Sequence, residues 1–264
     1  MTAVHATVSP IWDSPLRLND DQAWKQLRAQ GGRSVGFTGG HFGPNFNRRV
    51  LDSGGTWKDL QKFTRDISDG VFISRNLTAL RKRKVDMLFH PGSHDMVAFD
   101  MAWGGKNHPS IPVYLGANSG HGKRGHPKTE RDQQNKAAFM FKHFFPNQVK
   151  GDLLAPPEVQ HELKGKAIEV TVTFPRGSNE ESGRIWWMFD RAPDGSPKYL
   201  TEIIPNDQTL QMNRAGNQWK ATIKIAPQAT RIDFFSNHRK TLRYGESSFR
   251  SYLSSPYTRV ELKR

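Results

Sequence analysis

Cysteine is absent from all 264 residues, which excludes disulfides, thiolate metal ligands and a cysteine nucleophile and leaves the compartment open. No apolar run approaches the roughly 18 residues that a membrane-spanning helix needs. The first ten residues carry neither a basic region nor a long apolar stretch, so no signal peptide is read there. Internal repeats and low-complexity tracts are also lacking. Acidic residues are outnumbered, 25 Asp and Glu against 39 Lys and Arg, for a formal net charge of +14. Such a charge suggests nucleic acid first. The cations are dispersed along the chain, however, and no motif for nucleic-acid recognition accompanies them. The densest run, Arg81-Lys82-Arg83-Lys84, falls at the end of an expected helix, where cations complement the dipole. A solvated basic surface or attraction to an acidic substrate is the simpler reading, and no nucleic-acid partner is expected.

What is present suits a folded chain. Hydrophobic residues make up 35%, with seven Trp and sixteen Phe, enough bulk for more than one core. Residues 3–8 read as a short buried strand that stops at Ser9-Pro10. A helix is expected through residues 22–27, ending at Gly31-Gly32. Residues 31–55, rich in Gly, Asn and Arg with no period, read as a surface excursion or lid. Thr56 caps a helix with Trp57, Leu60, Phe63 and Ile67 on one face, and another helix covers residues 74–82. Residues 85–90 and 111–116 are short apolar runs of the kind found in central parallel strands, with a helix expected over 97–103 between them. A helix from Thr129 then turns Ala137, Ala138, Phe141, Phe144 and Phe145 inward.

The composition changes at residues 146–157, a linker ending in Ala155-Pro156-Pro157. Beyond it the period is two. Ile168, Val170, Val172 and Phe174 alternate with polar residues, as do Trp219, Ala221, Ile223 and Ile225. Further strands are expected over 184–190, 198–204, 209–213, 232–235 and 258–262, a set that suggests an immunoglobulin- or fibronectin-like β-sandwich. The expected domains are therefore 1–148, α/β in class with an insertion at about 13–82, and a sandwich over 156–264.

The chemistry concentrates in residues 85–122. A strand leads into Gly92-Ser93-His94-Asp95, and the next leads into Asn118-Ser119-Gly120-His121-Gly122. Parallel strands present ligands beyond their carboxyl ends, so Asp95 and His121 are expected at one rim. There a carboxylate can fix an imidazole tautomer, leaving the second nitrogen to take a proton from a nucleophile. His94 and Asp100 are the rival base and acid, with His126 weaker. A zinc site from His90, His94, Asp95 and His121 is conceivable, but no helical His pair supports it, so neither metal nor cofactor is expected. Trp186-Trp187 could form a sugar-stacking platform, but adjacent strand residues face opposite sides, so one ring is more simply core and the other surface.

The order of strand, Pro-Gly-x-x-Asp, helix, strand, Asn-x-Gly-His-Gly resembles the last strands of the α/β-hydrolase fold. With the all-β region behind it, the chain is similar to PhoPQ-activated pathogenicity-related proteins. The resemblance implies a partial α/β-hydrolase, a parallel sheet with helices, in which Asp95 is the triad acid and His121 the general base. It implies an ester or amide substrate (small-molecule, peptide or glycan) and a bacterial, periplasmic or secreted setting. The family's Gly-x-Ser-x-Gly nucleophile turn is missing. The expectation is therefore a fragment whose serine and N-terminal half of the hydrolase domain lie outside these residues, inactive alone. The alternative is a non-catalytic protein whose sandwich binds carbohydrate or a partner.

Overall fold

The computed structural model describes residues 3–6, 52–56, 58–59, 62, 73–94, 101–120, 130–192 and 202–262. The elements in chain order are β1 (Ala3–Ala6), α1 (Ile73–Lys82), β2 (Asp86–Phe89), α2 (Met101–Asn107), α3 (Glu130–Phe144), β3 (Glu158–Lys164), β4 (Ala167–Thr173), β5 (Ser182–Phe189), β6 (Thr209–Gln211), β7 (Asn213–Ala215), β8 (Gln218–Lys224), β9 (Arg231–Tyr244), β10 (Ser247–Ser254) and β11 (Thr258–Glu261). The expected helix at 22–27, the excursion at 31–50 and most of the expected strand at 198–204 lie outside the described residues.

The carboxyl-terminal region is a β-sandwich, as its alternation predicts. One sheet runs β10-β9-β5-β6 with β11 also on β9, and the other runs β3-β4-β8-β7. The pairings are antiparallel throughout. The inner faces of β4 and β8 (Ile168, Val170, Val172; Trp219, Ala221, Ile223) meet Ile185, Trp187, Ile232 and Phe234 in one core. Each of the Val, Ile and Phe side chains contributes roughly 1.5–3 kcal/mol by leaving water. The outer face of the larger sheet is covered too. Phe235, Met188 and Tyr257 pack with Met101 of α2 and with Leu115.

The expected α/β-hydrolase layer is overturned. Described residues are mostly antiparallel strand with three short helices, and parallel pairing is confined to β1 with β2 and to two isolated bridges, Phe89↔Val113 and Gly92↔Gly116. A physical reason is visible at residues 113–115. Among the described residues their free edge feeds no further parallel strand. Ser254 N donates to Val113 O at 2.8 Å, Leu115 N donates to Ser254 Oγ at 2.7 Å and Asn237 Nδ2 donates to Leu115 O at 3.2 Å. The sandwich thus takes the hydrogen-bonding positions where a parallel sheet would have grown. The hydrophobic core is likewise continuous, Leu88 of β2 and Phe139 of α3 joining the inner sandwich residues.

Two helices differ from expectation, α3 in its buried face and α2 in its carboxyl end. In α3 the buried residues are Asn135, Ala138, Phe139 and His143, whereas Phe144 is 59% exposed. The inward stripe includes polar residues because each has a partner. Asn135 Oδ1 accepts Tyr252 N at 2.8 Å, and His143 Nδ1 lies 2.7 Å from Asp86 Oδ2. α2 runs on to Asn107, past the expected end at 103, and residues 97–100 lie outside the described residues; Gly105 is required there, since a Cβ would stand 2.2 Å from Tyr257 O. Near the amino end, Thr56 and Asp59 form a capping box, Asp59 N donating to Thr56 Oγ1 at 3.2 Å and Thr56 N donating to Asp59 Oδ2 at 2.6 Å. The bonds from Thr56 hold the Asp59 carboxyl below the usual carboxylate range.

Candidate functional site

The ends of β2 and of residues 113–116 are stitched together residue by residue. Gly116 N donates to Pro91 O at 2.9 Å, Ser93 N to Gly116 O at 2.8 Å and His94 N to Ser119 O at 3.2 Å. The hydroxyl of Ser93 accepts Asn118 N at 2.8 Å. This closeness depends on Gly92, where a Cβ would lie 1.9 Å from the Ser119 carbonyl oxygen. Asn118 turns the second loop with φ 55°, a left-handed conformation that Asn tolerates better than most residues.

Two segments of the sandwich brace the loop pair from behind. Asn118 exchanges two bonds with Ile204, donating Nδ2 to its carbonyl at 2.9 Å and accepting its amide at 2.8 Å. The guanidinium of Arg191, 2% exposed, donates to the carbonyl of Ser93 and, at 2.8 Å, to the Tyr257 hydroxyl. Tyr257 in turn donates to Asp233 Oδ2 at 2.7 Å. Arg259 grips Asp233 with Nε at 2.8 Å from Oδ1 and Nη2 at 2.7 Å from Oδ2. A buried carboxylate therefore anchors a chain of donors that ends on the Ser93 backbone. Sequence reasoning missed Arg191 and Ile204, because a lone arginine after a strand carries no local signal of its target.

The sequence-chosen residues fall as follows. Asp95 and His121 lie outside the described residues, as do Asp100 and His126. Their chain neighbours His94 and Gly120 are the last described residues of the two loops, and His94 N is bonded to Ser119 O. His94 is 9% exposed and His90 is 8% exposed. His90 Nε2 stands 3.0 Å from Asp132 Oδ1 and its ring meets Tyr114 edge-on at 4.5 Å. Among the described residues no group of three or more His, Asp or Glu is arranged to hold a metal. The hydroxyl of Ser93 is no nucleophile, being only 2% exposed and engaged by Asn118. Of the tryptophan pair, Trp187 enters the inner core and Trp186 faces outward beneath the Arg184 guanidinium at 6.0 Å.

One serine–histidine contact imitates a catalytic pair. Ser236 Oγ lies 2.8 Å from His238 Nε2, but the residues are 0% and 1% exposed. His238 packs against Phe174 and Trp219 in the sandwich. Burial pushes its pKa down to about 3, so the ring is neutral and sealed from substrate. This gives a stability prediction. The unfolded histidine takes up a proton below about pH 6.5 whereas the folded one does not, so stability is complete above that pH and falls as the pH drops toward 3. Between pH 7 and pH 5 the loss from this group is about 2 kcal/mol. Urea unfolding at both pH values checks it: His238→Gln should lose about that much less than the parent on acidification. His161, also lowered by burial, adds a smaller contribution of the same sign to both proteins.

No family model matches the chain, and no curated protein matches it. Among solved structures it is similar to the family 64 laminaripentaose-producing β-1,3-glucanase from Paenibacillus barengoltzii, at 13% identity over 37% of this chain and 20% of that one, with a TM-score of 0.21. The chain thus spans one fifth of the glucanase. It is also similar to a family 56 carbohydrate-binding module, a β-1,3-glucan binding domain, at 15% identity over 37% of this chain and 95% of that one, again with a TM-score of 0.21. Likenesses of that size fix no function.

Proposed function

We propose that the loop pair presents Asp95 and His121 as the acid–base half of an ester- or amide-hydrolysing site whose serine lies outside these residues. The observation that supports this is the bond from His94 N to Ser119 O with the parallel bridge Gly92↔Gly116, which joins the two loops whose next residues, or next but one, are that acid and that base. The proposal rests on loop contact and owes nothing to a parallel-sheet architecture. In the reaction His121 takes the serine proton as the hydroxyl oxygen adds to the substrate carbonyl. It then gives the proton to the departing alkoxide or amine. Water attacks the acyl-serine with His121 again as base, and the acid is released with the serine restored. Asp95 orients the ring and stabilises the imidazolium.

Alone, the chain should leave p-nitrophenyl acetate untouched. Supplied with the serine-bearing segment, it should hydrolyse the ester, and His121→Ala should lower kcat by roughly 10²–10⁴-fold. Turnover that survives His121→Ala and Asp95→Asn would overturn the proposal. The second reading, a non-catalytic binding protein, is favoured by a groove beside the same loops.

A further inference from the structure

On the outer face of the larger sheet lies a cavity of about 220 Å³. Its floor is set by strand register: Arg184 pairs with Asn237 and Gln211, and Tyr252 pairs with Arg239. Tyr114 and Arg131 close one side, the tyrosine rings of Tyr114 and Tyr252 standing 5.5 Å apart. The cavity abuts the loop pair, since Asn237 bonds the carbonyl of Leu115, one residue before Gly116.

The charges around it do not balance. Arg239 is matched by Glu181, whose Oε2 is 3.4 Å from its Nε. Arg184, exposed, donates to the Thr209 hydroxyl at 3.4 Å and lies over the Trp186 ring. Arg131, also exposed, sits beside the Tyr114 hydroxyl and favours its ionisation, although burial, the larger effect, pushes that group well above its ordinary value. Neither Arg131 nor Arg184 has a carboxylate partner among the described residues. A guanidinium presents a planar fork matched to carboxylate. The remaining lining offers hydroxyl and amide groups from Tyr114, Tyr252, Ser182, Gln211 and Asn237, which can bond the hydroxyls of a polyhydroxylated ring. The volume is below the roughly 300–1,000 Å³ of drug-sized sites, so it suits one ring rather than an oligomer.

We infer that this groove binds a single carboxylate-bearing sugar unit, a uronate, with Arg184 and Arg131 on the carboxylate and the hydroxyl and amide groups of the lining on its ring hydroxyls. The inference stands on the groove and is independent of the hydrolytic proposal.

Calorimetry on the whole chain tests it with D-glucuronate, D-glucose and inorganic phosphate as probes. Glucuronate should bind, with glucose and phosphate at least ten-fold weaker. Arg184→Gln and Arg131→Gln, both at exposed positions and checked for an unchanged thermal transition, should each weaken glucuronate at least ten-fold. Lys164→Gln, an exposed cation on the other sheet, should bind it normally, which separates this site from a general loss of positive charge. Absence of glucuronate binding, equal binding of glucose, equal binding of phosphate or indifference to both arginine substitutions would each overturn the inference.

Discussion

Gly92→Ala should destabilise the chain by about 3 kcal/mol, at the upper end of what overpacking costs, and should dismantle the loop pair. The added methyl would stand 1.9 Å from the Ser119 carbonyl oxygen, and its neighbours there are backbone atoms that no rotamer change can move. Relief requires the two loops to part, which breaks the bond from His94 N to Ser119 O and strains that from Asn118 N to Ser93 Oγ. Gly116→Ala is the internal comparison. Its methyl is close only to the Ser119 side chain, at 3.0 Å, with the Pro91 carbonyl oxygen at an ordinary 3.8 Å, and the expected loss is about 1 kcal/mol. Urea midpoints measure both, and amide exchange at His94 and Asn118 reports whether the loops have separated. Equal losses for the two alanines would show that the close approach at Gly92 is not what holds the loops.

Arg259→Met should cost about 3–5 kcal/mol, the range for removing one member of a buried ion pair. Asp233 is 2% exposed, and its two oxygens receive both guanidinium bonds of Arg259 as well as the Tyr257 hydroxyl. Without Arg259 the carboxylate keeps Tyr257 and a more distant Arg231, whose Nε is 3.9 Å away. Adding Asp233→Asn to that variant removes the buried charge while keeping an acceptor for Tyr257. The double variant should therefore be more stable than Arg259→Met alone. A single-variant loss under 1 kcal/mol, typical of an exposed pair, would contradict the picture of a buried anchor. The loops should feel the change too, because Asp233, Tyr257 and Arg191 form the chain of donors that ends on Ser93 O.

The sandwich was legible where a face alternates cleanly, as in Ile168-Val170-Val172 and Trp219-Ala221-Ile223. It was not legible where both faces carry the same character. β3 is exposed along nearly its whole length, so its alternation has no consequence to read. β9 runs 14 residues, but only its first part looks like a strand, because Ser236, His238 and Lys240 are polar residues that are nonetheless buried. β10 is hidden for a related reason: its last four residues are all buried, covered by α3 and by residues 113–115. That covering also explains the overturned α/β layer. Residues 85–90 and 111–116 have the composition of central parallel strands, yet burial on both sides can come from a sandwich as well as from helices. Composition reports burial and is silent on what does the burying. At the candidate site, the Gly-x-x-Asp and Gly-His-Gly loops were visible as motifs, and the contact between their described ends is observed. Their bracing by Arg191 and Ile204 was not visible, since it depends on contacts spanning 98 and 86 residues.

The most direct measurement is the titration of the His121 imidazole, followed by nitrogen-detected magnetic resonance in the parent chain and in Asp95→Asn. If the acid and the base face each other across the joined loops, the carboxylate raises the imidazole pKa, and its loss should lower that value by about one unit or more. An identical His121 titration in the two proteins would mean that the groups do not touch, and the hydrolytic half-site would be refuted.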